Sequence, residues 1–279
     1  MASTPILIMS KPLISVALAT HNEEKNLSMC LDSVKDWVDE IIIADGESTD
    51  QTISIAKKYD AKVIKTTNKA NFHINKQIAM DEAKGLIVLQ LDADEVVDKK
   101  MAKFIKEKAK EISTIEKKDS RDIKNYQPKA WNLRRRNFFL GRFLTKGGQY
   151  PDPVIRLYIN GFARLPQKDV HEQMDVNGNI EFAKGHLLHY SNPSFTDYLR
   201  KFNTYTSFKA MQLKEEKIPF NAVSMIEYLL IKPISTFVSL YIRHKGFQDG
   251  LAGFVFALMS GIYWKISYLK LWELYERKN

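Results

Sequence analysis

The chain has 279 residues, of which 44% are hydrophobic and 27% charged, and a single cysteine. This length and apolar content suffice for a large folded domain, alone or with an appendage. One cysteine, Cys30, excludes a disulfide framework and a cysteine-rich metal site, and it indicates a reducing compartment.

The formal net charge of +9 indicates an anionic partner, and nucleic acid, anionic lipid and phosphorylated small molecules all qualify. Residues 200–279 contain 12 Lys and Arg against 6 Asp and Glu, a net of +6, and they also hold long apolar runs. We therefore expect an anionic membrane surface as a partner and no nucleic acid. Because Met1 to Ser10 lacks a basic start and a long apolar run, we expect the protein to remain in the cytoplasm.

Apolar runs alternate with helical patterns over the first hundred residues. This βαβαβαβ order predicts a mainly parallel sheet with helices on both faces, whose ligands bind beyond the carboxyl ends of the strands. No glycine-rich dinucleotide or P-loop motif is present. The predicted strands are Leu13 to Ala19, Glu40 to Ala44, Ala61 to Lys65 and Leu86 to Leu91, and the predicted helices are Glu24 to Val38, Thr52 to Tyr59 and Asn71 to Lys84.

The fourth strand ends abruptly in three carboxylates, Asp92, Asp94 and Glu95. Two aspartates separated by one residue direct oxygens into one space where the chain turns. Mg²⁺ and Mn²⁺ prefer such oxygen ligands. We therefore expect a divalent metal site that offsets the repulsion between the carboxylates. The alternative is a solvated turn in which Asp94 or Glu95 caps the helix that begins near Asp98.

Asp45 stands where the second strand ends. Its carboxylate is suited to accept the imide N–H of a uracil or an amine of another base. The alternative is that Asp45 and Asp50 cap the turn and the following helix, with Ser48 and Thr49 also in capping roles.

A polar turn, Thr20-His21-Asn22-Glu23, follows the first strand. Together with the motifs after the second and fourth strands, it resembles glycosyltransferase family 2, the inverting GT-A type, and especially the small bacterial lipopolysaccharide or lipooligosaccharide core glycosyltransferases. In the wider family the second motif commonly reads Asp-Asp-Gly-Ser-Thr-Asp, so only the first aspartate is carried over here and Glu47 is left unassigned. The resemblance rests on Thr20-His21-Asn22-Glu23, Asp45-Gly46-Glu47-Ser48-Thr49-Asp50 and Asp92-Ala93-Asp94-Glu95, and it continues through Arg156-Leu157-Tyr158, Val170-His171-Glu172 and Gly246-Phe247-Gln248-Asp249-Gly250.

The resemblance implies a nucleoside diphosphate sugar donor, with a uridine nucleotide expected. Charge develops on the departing diphosphate, and a cation that bridges its oxygens stabilises that charge. Lys69 and Lys76 are candidates for further positive charge near the phosphates. The implied donor residues are Thr20, Asn22, Glu23, Asp45, Lys76, Asp92 and Ala93, and the implied metal ligands are Asp92, Asp94 and His171.

From Tyr126 the pattern becomes β-like and irregular, with three arginines beside aromatic residues at positions 134–136. Guanidinium forks match phosphate oxygens, so these arginines are suited to a phosphorylated or acidic sugar acceptor. An ordinary edge strand is the alternative. The predicted acceptor residues are Arg134, Arg136 and Arg156.

An inverting transfer needs a base that takes the proton of the attacking hydroxyl. The resemblance places this base at Glu172, with Asp152 as the second choice. His186 and His189 lie on a strand-like run and are predicted to be hydrogen-bonded core residues.

The last third is helical in pattern, with an amphipathic stretch from Ser194 to Lys217 and more apolar runs at Met225 to Ile242 and Leu251 to Trp264. A membrane span needs about 20 apolar residues, and both apolar runs are interrupted or shorter. We therefore expect helices that lie in the membrane interface. The alternative is a buried hairpin that forms a dimer or covers the acceptor cleft.

The predicted fold class is thus α/β, a GT-A fold with a C-terminal helical extension. We expect a catalytic domain at 1–192, divided into a nucleotide half (11–125) and an acceptor half (126–192), and a helical region at 193–279. The predicted function is metal-dependent, inverting sugar transfer to a lipopolysaccharide core or other lipid-linked saccharide on the inner face of the membrane, by an enzyme that is a candidate homo-oligomer. The rivals are a capsule or exopolysaccharide precursor or a protein as acceptor, and a non-catalytic module that binds nucleotide sugars.

Overall fold

A computed structural model describes residues 12–69, 71–119, 121–166 and 173–276. The chain divides into two compact units. Unit 1 comprises Met1–Arg135 and Pro153–Leu188, and unit 2 comprises Arg136–Asp152 and His189–Asn279. The predicted boundary at residue 192 falls near this division, whereas 136–152 groups with the C-terminal helices.

The strands of unit 1 form the predicted parallel sheet. Strands β1 to β4 are ordered β3-β2-β1-β4, all parallel, and β8 then pairs antiparallel with β4. The strands of the chain are β1 (Ile14–Thr20), β2 (Glu40–Gly46), β3 (Lys62–Thr66), β4 (Ile87–Leu91), β5 (Glu95–Val97), β6 (Ala130–Phe139), β7 (Arg142–Phe143), β8 (Asp152–Ile159), β9 (Ala163–Arg164), β10 (Asp175–Val176), β11 (Ile180–Phe182) and β12 (Leu187–Asn192).

Successive residues of these strands point to opposite faces of the sheet, and both faces are buried. Val16 and Leu18 of β1 pack in one core cluster, and Ala17 between them packs in another. Helices α1 (Leu27–Asp32), α2 (Thr52–Lys58) and α4 (Lys99–Lys118) contribute to the first cluster, and α3 (Phe72–Asp81) contributes to the second. A one-turn helix, α5 (Asp122–Asn125), follows α4. Burial on both faces explains why β1 and β4 read as largely apolar runs without alternation.

The helix predicted from Glu24 to Val38 was wrong in its extent, because α1 spans only Leu27–Asp32. The Ser33 hydroxyl donates to the Cys30 carbonyl at 2.7 Å, and the Ser33 and Val34 amides donate three residues back. Local hydrogen bonds of this kind compete with the α-helical pattern. The helix therefore gives way to turns although its apolar spacing continues.

Helix α4 begins where the sequence indicates, but neither Asp94 nor Glu95, the caps considered in the alternative to a metal site, is its N-cap. Asp98 itself is the N-cap, and its side chain accepts from the Met101 amide at 2.7 Å. Asp98 Oδ2 also accepts from the His186 amide at 2.9 Å and pairs with His186 Nδ1 at 3.1 Å. His186 is thus a hydrogen-bonded residue, as predicted.

Unit 2 is built around three long helices, α6 (Phe195–Glu215), α7 (Ala222–Arg243) and α8 (Gly250–Glu276). Two π-turns, Glu227–Ile231 and Ser239–Arg243, lie within α7. The apolar run Leu251 to Trp264 underestimates α8, which continues through Lys265 for 27 residues. A lysine ends an apolar run in the sequence but does not end a helix, since it is a good helix former.

Helices α7 and α8 form an antiparallel hairpin. Phe237 of α7 contacts Phe254 of α8, and Pro233, earlier in α7, approaches Gly261, later in α8. A Cβ atom on Gly261 would lie 2.7 Å from the Pro233 carbonyl oxygen, so only glycine permits this contact. By length and composition alone, Ala222–Arg243 and Gly246–Glu276 are each long and apolar enough to cross a membrane.

The turn of this hairpin is fixed by one buried carboxylate, Asp249, which is 1% exposed. Asp249 accepts from the amides of Thr145 and Lys146 at 2.9 and 2.8 Å and from the Thr145 hydroxyl at 2.9 Å. Arg142 Nη2 lies 3.4 Å from Asp249 Oδ1. The 142–146 loop and the hairpin turn are therefore one polar network within unit 2.

Candidate functional site

Polar residues follow β1, β2 and β4 in unit 1, as the sequence predicts. Thr20 is in register with Asp45 across the parallel β1–β2 pair, and Leu18 of β1 is in register with Leu91, the residue before Asp92. Because parallel neighbours end at the same edge of a sheet, the three turns meet there. This edge is the candidate donor site.

The acidic turn after β4 is closed by its own carboxylate and backbone. The Asp92 amide donates to Glu95 Oε2 at 2.9 Å, and the Glu95 amide donates to the Asp92 carbonyl at 3.0 Å. Glu95 is fully buried and begins β5, so the alternative that it caps α4 was wrong.

Each carboxylate oxygen of Asp92 already has a basic partner. Lys76 Nζ of α3 lies 2.5 Å from Asp92 Oδ1, and Arg156 Nη2 of β8 donates to Asp92 Oδ2 at 2.7 Å. Lys76 is predicted to bind the sugar donor, and Arg156 is predicted to bind the sugar acceptor. In the structure both side chains contact Asp92. The prediction that Asp92 binds a metal stays a prediction.

Burial and the carboxylates act in opposite directions on these two cations. Burial lowers the pKa of the Lys76 ammonium, although the Asp92 carboxylate opposes this effect. Burial also disfavours the charged Arg156 guanidinium, but Asp92 and Glu95 outweigh it and raise its pKa. Charge is thus retained on Arg156 inside the protein.

The sequence predicts a metal cation that offsets the repulsion within the acidic turn, but basic side chains offset much of it in the structure. Arg156 Nη2 lies 3.7 Å and Arg135 Nη1 lies 3.6 Å from Glu95 Oε1. Neither ion pair was predicted. The side chain of Gln90 completes this network, since it accepts from Arg156 Nη1 and donates to Asp92 Oδ1. A polar residue in the apolar run of β4 is the only sequence signal for it.

Asp94 is a half-buried turn residue of this motif. Its carboxylate is the hard oxygen donor that Mg²⁺ or Mn²⁺ takes, so the turn fits a cation shared with a diphosphate. Among the described residues, no group of three His, Cys, Asp or Glu side chains is placed to hold a metal ion by itself. The predicted ligand His171 and the predicted base Glu172 lie outside the described residues.

Asp45 is 2% exposed, and its carboxylate is hydrogen-bonded to neighbouring residues of the site. Its carboxylate accepts from the Thr20 hydroxyl at 3.0 Å, the Ser48 hydroxyl at 2.6 Å and the Ser48 amide at 3.0 Å. The capping alternative for Asp45 is therefore what the hydrogen bonds show, and contact with a base stays a prediction. Asp50 precedes the N-cap residue of α2, Gln51, and its side chain accepts from the Thr52 amide at 2.9 Å.

Asn22 and Glu23 connect the turn after β1 with the turn after β2. Asn22 adopts a positive φ of 55°, its amide donates to the Ser48 hydroxyl at 2.9 Å, and its Oδ1 accepts from the Thr49 amide at 2.8 Å. The Glu23 amide donates to the Thr52 hydroxyl at 2.7 Å. The first two motifs are thus one rigid surface. Ala93 is buried in the acidic turn, and Lys69 is exposed.

Two predicted acceptor residues of β6, Arg134 and Arg136, belong to different units of the chain. Arg134, in unit 1, donates to the Ala183 carbonyl at 2.6 Å and lies over the Phe182 ring, which is a structural arrangement. Arg136, in unit 2, lies over the Tyr150 ring, and its Nε is buried without a hydrogen-bond partner among the described residues. Of these two arginines, only Arg136 has a buried N–H group without a hydrogen-bond partner among the described residues, and this group is suited to bind the sugar acceptor.

The second choice for the base, Asp152, belongs to a hydrogen-bonded chain in unit 2. His189 Nδ1 and Asn137 Oδ1 are 2.7 Å apart, and Asn137 Nδ2 donates to Asp152 Oδ2 at 2.9 Å. His189 is thus hydrogen-bonded, as predicted, but its link to Asp152 was not foreseen. Asn137 carries no sequence signal for this role.

The chain's cysteine lies beneath the acidic turn. Cys30 of α1 is fully buried, and its Sγ is 3.6 Å from the Asp92 carbonyl oxygen. Burial raises the pKa of this thiol well above its usual value, and the neighbouring Glu95, Asp94 and Asp92 raise it further. Cys30 is therefore an inert packing residue.

Comparison with known proteins gives consistent matches. The model of "Glycosyl transferase family 2" matches residues 15–170. The lipopolysaccharide core biosynthesis glycosyltransferase LpsC of Rhizobium meliloti is 28% identical over 272 residues, which cover 95% of this chain and 92% of that protein. An uncharacterized glycosyltransferase of Rickettsia felis is 30% identical over 213 residues, which cover 73% of this chain and 71% of that protein.

Two solved structures are similar to this chain with TM-scores below 0.5. The crystal structure of residues 1–349 of Staphylococcus aureus TarS is 14% identical, covers 96% of this chain and 92% of that chain, and gives a TM-score of 0.43. Glucosyl-3-phosphoglycerate synthase from Mycobacterium tuberculosis, in complex with Mn²⁺, uridine diphosphate and glucosyl-3-phosphoglycerate, is 27% identical over 30% of this chain and 34% of that chain, with a TM-score of 0.28.

Proposed function

The chain belongs to glycosyl transferase family 2 and is a glycosyltransferase, and from this premise we propose that it transfers a sugar from a uridine diphosphate donor to a lipid-linked saccharide. One observation carries the proposal. The turns after β1, β2 and β4 meet at one edge of the sheet, where Asp94 lies beside the buried Lys76–Asp92–Arg156 network. Such an edge is suited to a nucleoside diphosphate.

Family membership also bears on the fold. The order β3-β2-β1-β4, the antiparallel β8 and the C-terminal helices agree with the predicted α/β architecture. The GT-A fold class expected from the sequence is therefore confirmed.

The donor residues are proposed to act through a preorganised surface. Thr20, Asn22, Glu23 and Asp45 form the wall for the nucleoside. The Thr20–Asp45 hydrogen bond and the bonds of Asn22 and Glu23 to Ser48 and Thr52 fix this wall before the donor arrives. Asp92 holds Lys76 and Arg156 in place, so that positive charge lies near the diphosphate as the bond to the sugar breaks. Positioned charges of this kind need no reorganisation during the reaction.

A divalent cation fits this scheme at Asp94, with His171 and Asp92 as the further ligands that the resemblance implies. Bound there, Mg²⁺ or Mn²⁺ would supply positive charge to the leaving diphosphate. The buried cations Lys76 and Arg156 supply part of the same charge from the protein itself.

Inversion requires that the acceptor hydroxyl attack the anomeric carbon from the face opposite the diphosphate. As the new C–O bond forms, the bond to the diphosphate breaks, and the hydroxyl proton passes to a carboxylate of the protein. We propose Glu172 for this role and Asp152 as its alternative. Asp152 is positioned by a hydrogen bond from the Asn137 side chain.

The acceptor is proposed from the relatives and from unit 2. LpsC is named for lipopolysaccharide core biosynthesis and matches nearly the whole chain. Arg136 supports an acidic or phosphorylated acceptor, because its buried Nε has no hydrogen-bond partner among the described residues. A lipid-linked acceptor would place the enzyme on the cytoplasmic face of the membrane.

The donor assignment is tested by thermal shift with uridine, adenosine and guanosine diphosphate sugars, each with Mn²⁺ or with a chelator. A ligand that binds only the folded state raises the melting temperature, so we expect uridine diphosphate sugars with Mn²⁺ to give the largest shift. Release of uridine diphosphate should then increase when lipid-linked core saccharide is added. The proposal is rejected if no nucleotide sugar shifts the melting temperature.

The identity of the base gives a separate prediction. Glu172→Gln is expected to lower kcat by about 10²-fold or more, as for a lost general base, while the thermal shift with donor is unchanged. Asp152→Asn is the matched comparison, because it makes the same isosteric change at the second candidate. Normal turnover by the Glu172 variant and slow turnover by the Asp152 variant would transfer the role to Asp152.

A further inference from the structure

Helix α7 exposes one continuous apolar face. Positions three and four residues apart lie on the same side of a helix, and exposed side chains with this spacing run along all of α7. Their exposure ranges from 47% to 74%, which is unusual for large aliphatic residues. They are Val223, Ile226, Leu230, Ile231, Ile234, Val238 and Ile242.

Helix α8 continues this face. Its exposed apolar side chains also recur at helical spacing, and they are Leu251, Phe254, Leu258, Leu269 and Trp272. An open groove of about 260 Å³ runs between the two helices and is lined by Ile234 of α7 and by Phe254 and Leu258 of α8. Because one groove includes exposed residues of both helices, the two apolar stripes form a single surface, here called the hairpin face.

The other side of α8 is covered by α6 along much of its length. Lys270 donates to the Asn203 carbonyl at 2.7 Å, and Lys214 donates to the Leu274 carbonyl at 2.8 Å. Phe202 and Tyr263 are in edge-to-face contact further along. These contacts hold α6 against α8, so both helices have to occupy the same environment.

Helix α6 is too polar to enter a bilayer core. Arg200 has a side chain that is 75% exposed, and Gln212 and Glu215 are also exposed. Charged groups are costly in the hydrocarbon region of a bilayer. If α8 crossed a membrane, the polar helix α6 would have to enter the bilayer with it. The structure therefore disfavours the membrane crossing that the length and composition of α8 alone would allow.

Positive charge surrounds the turn between the two helices. Arg243 and Lys245 of the turn are exposed, and so are Arg142 and Lys146 of the loop that Asp249 ties to it. Ile242 and Phe247, beside these residues, are 56% and 48% exposed. Exposed bases next to exposed apolar side chains match the headgroup and acyl layers of an anionic membrane.

We propose that the hairpin face lies in the plane of an anionic membrane surface, with its apolar side chains among the upper acyl chains and the basic turn at the headgroups, and that neither helix crosses. Large exposed apolar patches on soluble proteins mark protein or membrane interaction sites, so we expect this surface to have a partner. The charge favours lipid over a second copy of the chain. The inference rests on the proposed function for its purpose, namely access to a lipid-linked acceptor.

Co-sedimentation of the full chain with phosphatidylcholine vesicles, with or without phosphatidylglycerol, tests the surface. We expect binding that requires phosphatidylglycerol and weakens with salt. Ile234→Asp and Arg243→Glu should each lower the partition coefficient more than tenfold. The matched controls Ile180→Asp and Lys103→Glu make the same changes at exposed positions of unit 1 and should bind as the unaltered protein does.

Depth is measured with a tryptophan at Leu258, on the exposed face of α8, as the change in quenching relative to the unaltered protein, whose own tryptophans give the background. A Leu258→Trp variant should be quenched more by lipids brominated near the headgroup than by lipids brominated near the chain ends. Stronger quenching by the deep bromines would mean that the helix crosses and would overturn the in-plane arrangement. Absence of vesicle binding, or a dimer in light scattering that Ile234→Asp dissociates, would overturn the lipid partner.

Donor turnover measured on the same samples separates this inference from the proposed function. Vesicle binding without sugar transfer would reject the function and leave the membrane surface standing. Sugar transfer to a detergent-solubilised acceptor by protein that does not bind vesicles would do the reverse.

Discussion

Asp94→Asn is expected to abolish the effect of Mn²⁺ on donor binding and to lower kcat by roughly 10²–10³-fold, the loss typical when one electrostatic contact to developing charge is removed. Asparagine keeps the shape of the side chain but offers a neutral oxygen, which is a poor ligand for a hard cation. Isothermal titration with uridine diphosphate, with and without Mn²⁺, measures binding apart from turnover.

Asp36→Asn is the matched control, since it makes the same change at an exposed aspartate of unit 1 away from the acidic turn. It should retain the full Mn²⁺ effect. Should the Asp94 variant also retain it, the cation is not held at this residue, and the metal role assigned to the acidic turn would have to rest on Asp92.

Arg156→Met is expected to destabilise the protein by about 3–5 kcal/mol, the cost of leaving buried charge unpaired. Arg156 is 12% exposed and faces both Asp92 and the fully buried Glu95, at 2.7 and 3.7 Å. Methionine fills a similar volume but provides no charge. Urea unfolding followed by circular dichroism gives the free energy of unfolding.

Arg164→Met serves as the comparison, because Arg164 pairs with Asp81 at 3.8 Å with both side chains more than half exposed. Surface pairs of this kind contribute about 0–1 kcal/mol, so this variant should be close to the unaltered protein. Adding Glu95→Gln to Arg156→Met should recover part of the lost stability. Equal losses in the Arg156 and Arg164 variants would mean that the buried network does not stabilise the fold.

The parallel sheet was predictable because it rests on local patterns. Strands β1, β2 and β4 are buried on both faces, so each appears as an apolar run, and each run ends in polar residues at the sheet edge. The three turns of the candidate site follow directly from those ends. Helix α1 was misjudged because the hydroxyl of Ser33, a side chain that apolar spacing ignores, ends it.

The partners of the acidic turn were not predictable in the same way. Arg156 follows Asp92 by 64 positions in the chain, and only the antiparallel pairing of β8 with β4 places them together. The sequence therefore indicated which residues carry charge, but a cation from solution and a cation from β8 were equally consistent with it. Pairing of Arg135 with Glu95 depends on β6 in the same way.

The buried thiol beneath the acidic turn has a practical consequence. Since Cys30 is the single cysteine and is inaccessible, a maleimide dye will attach only where a new cysteine is engineered on the surface. Fluorescent reporters can thus be placed on either unit of the otherwise native chain, and distances between them can be followed while donor and acceptor bind.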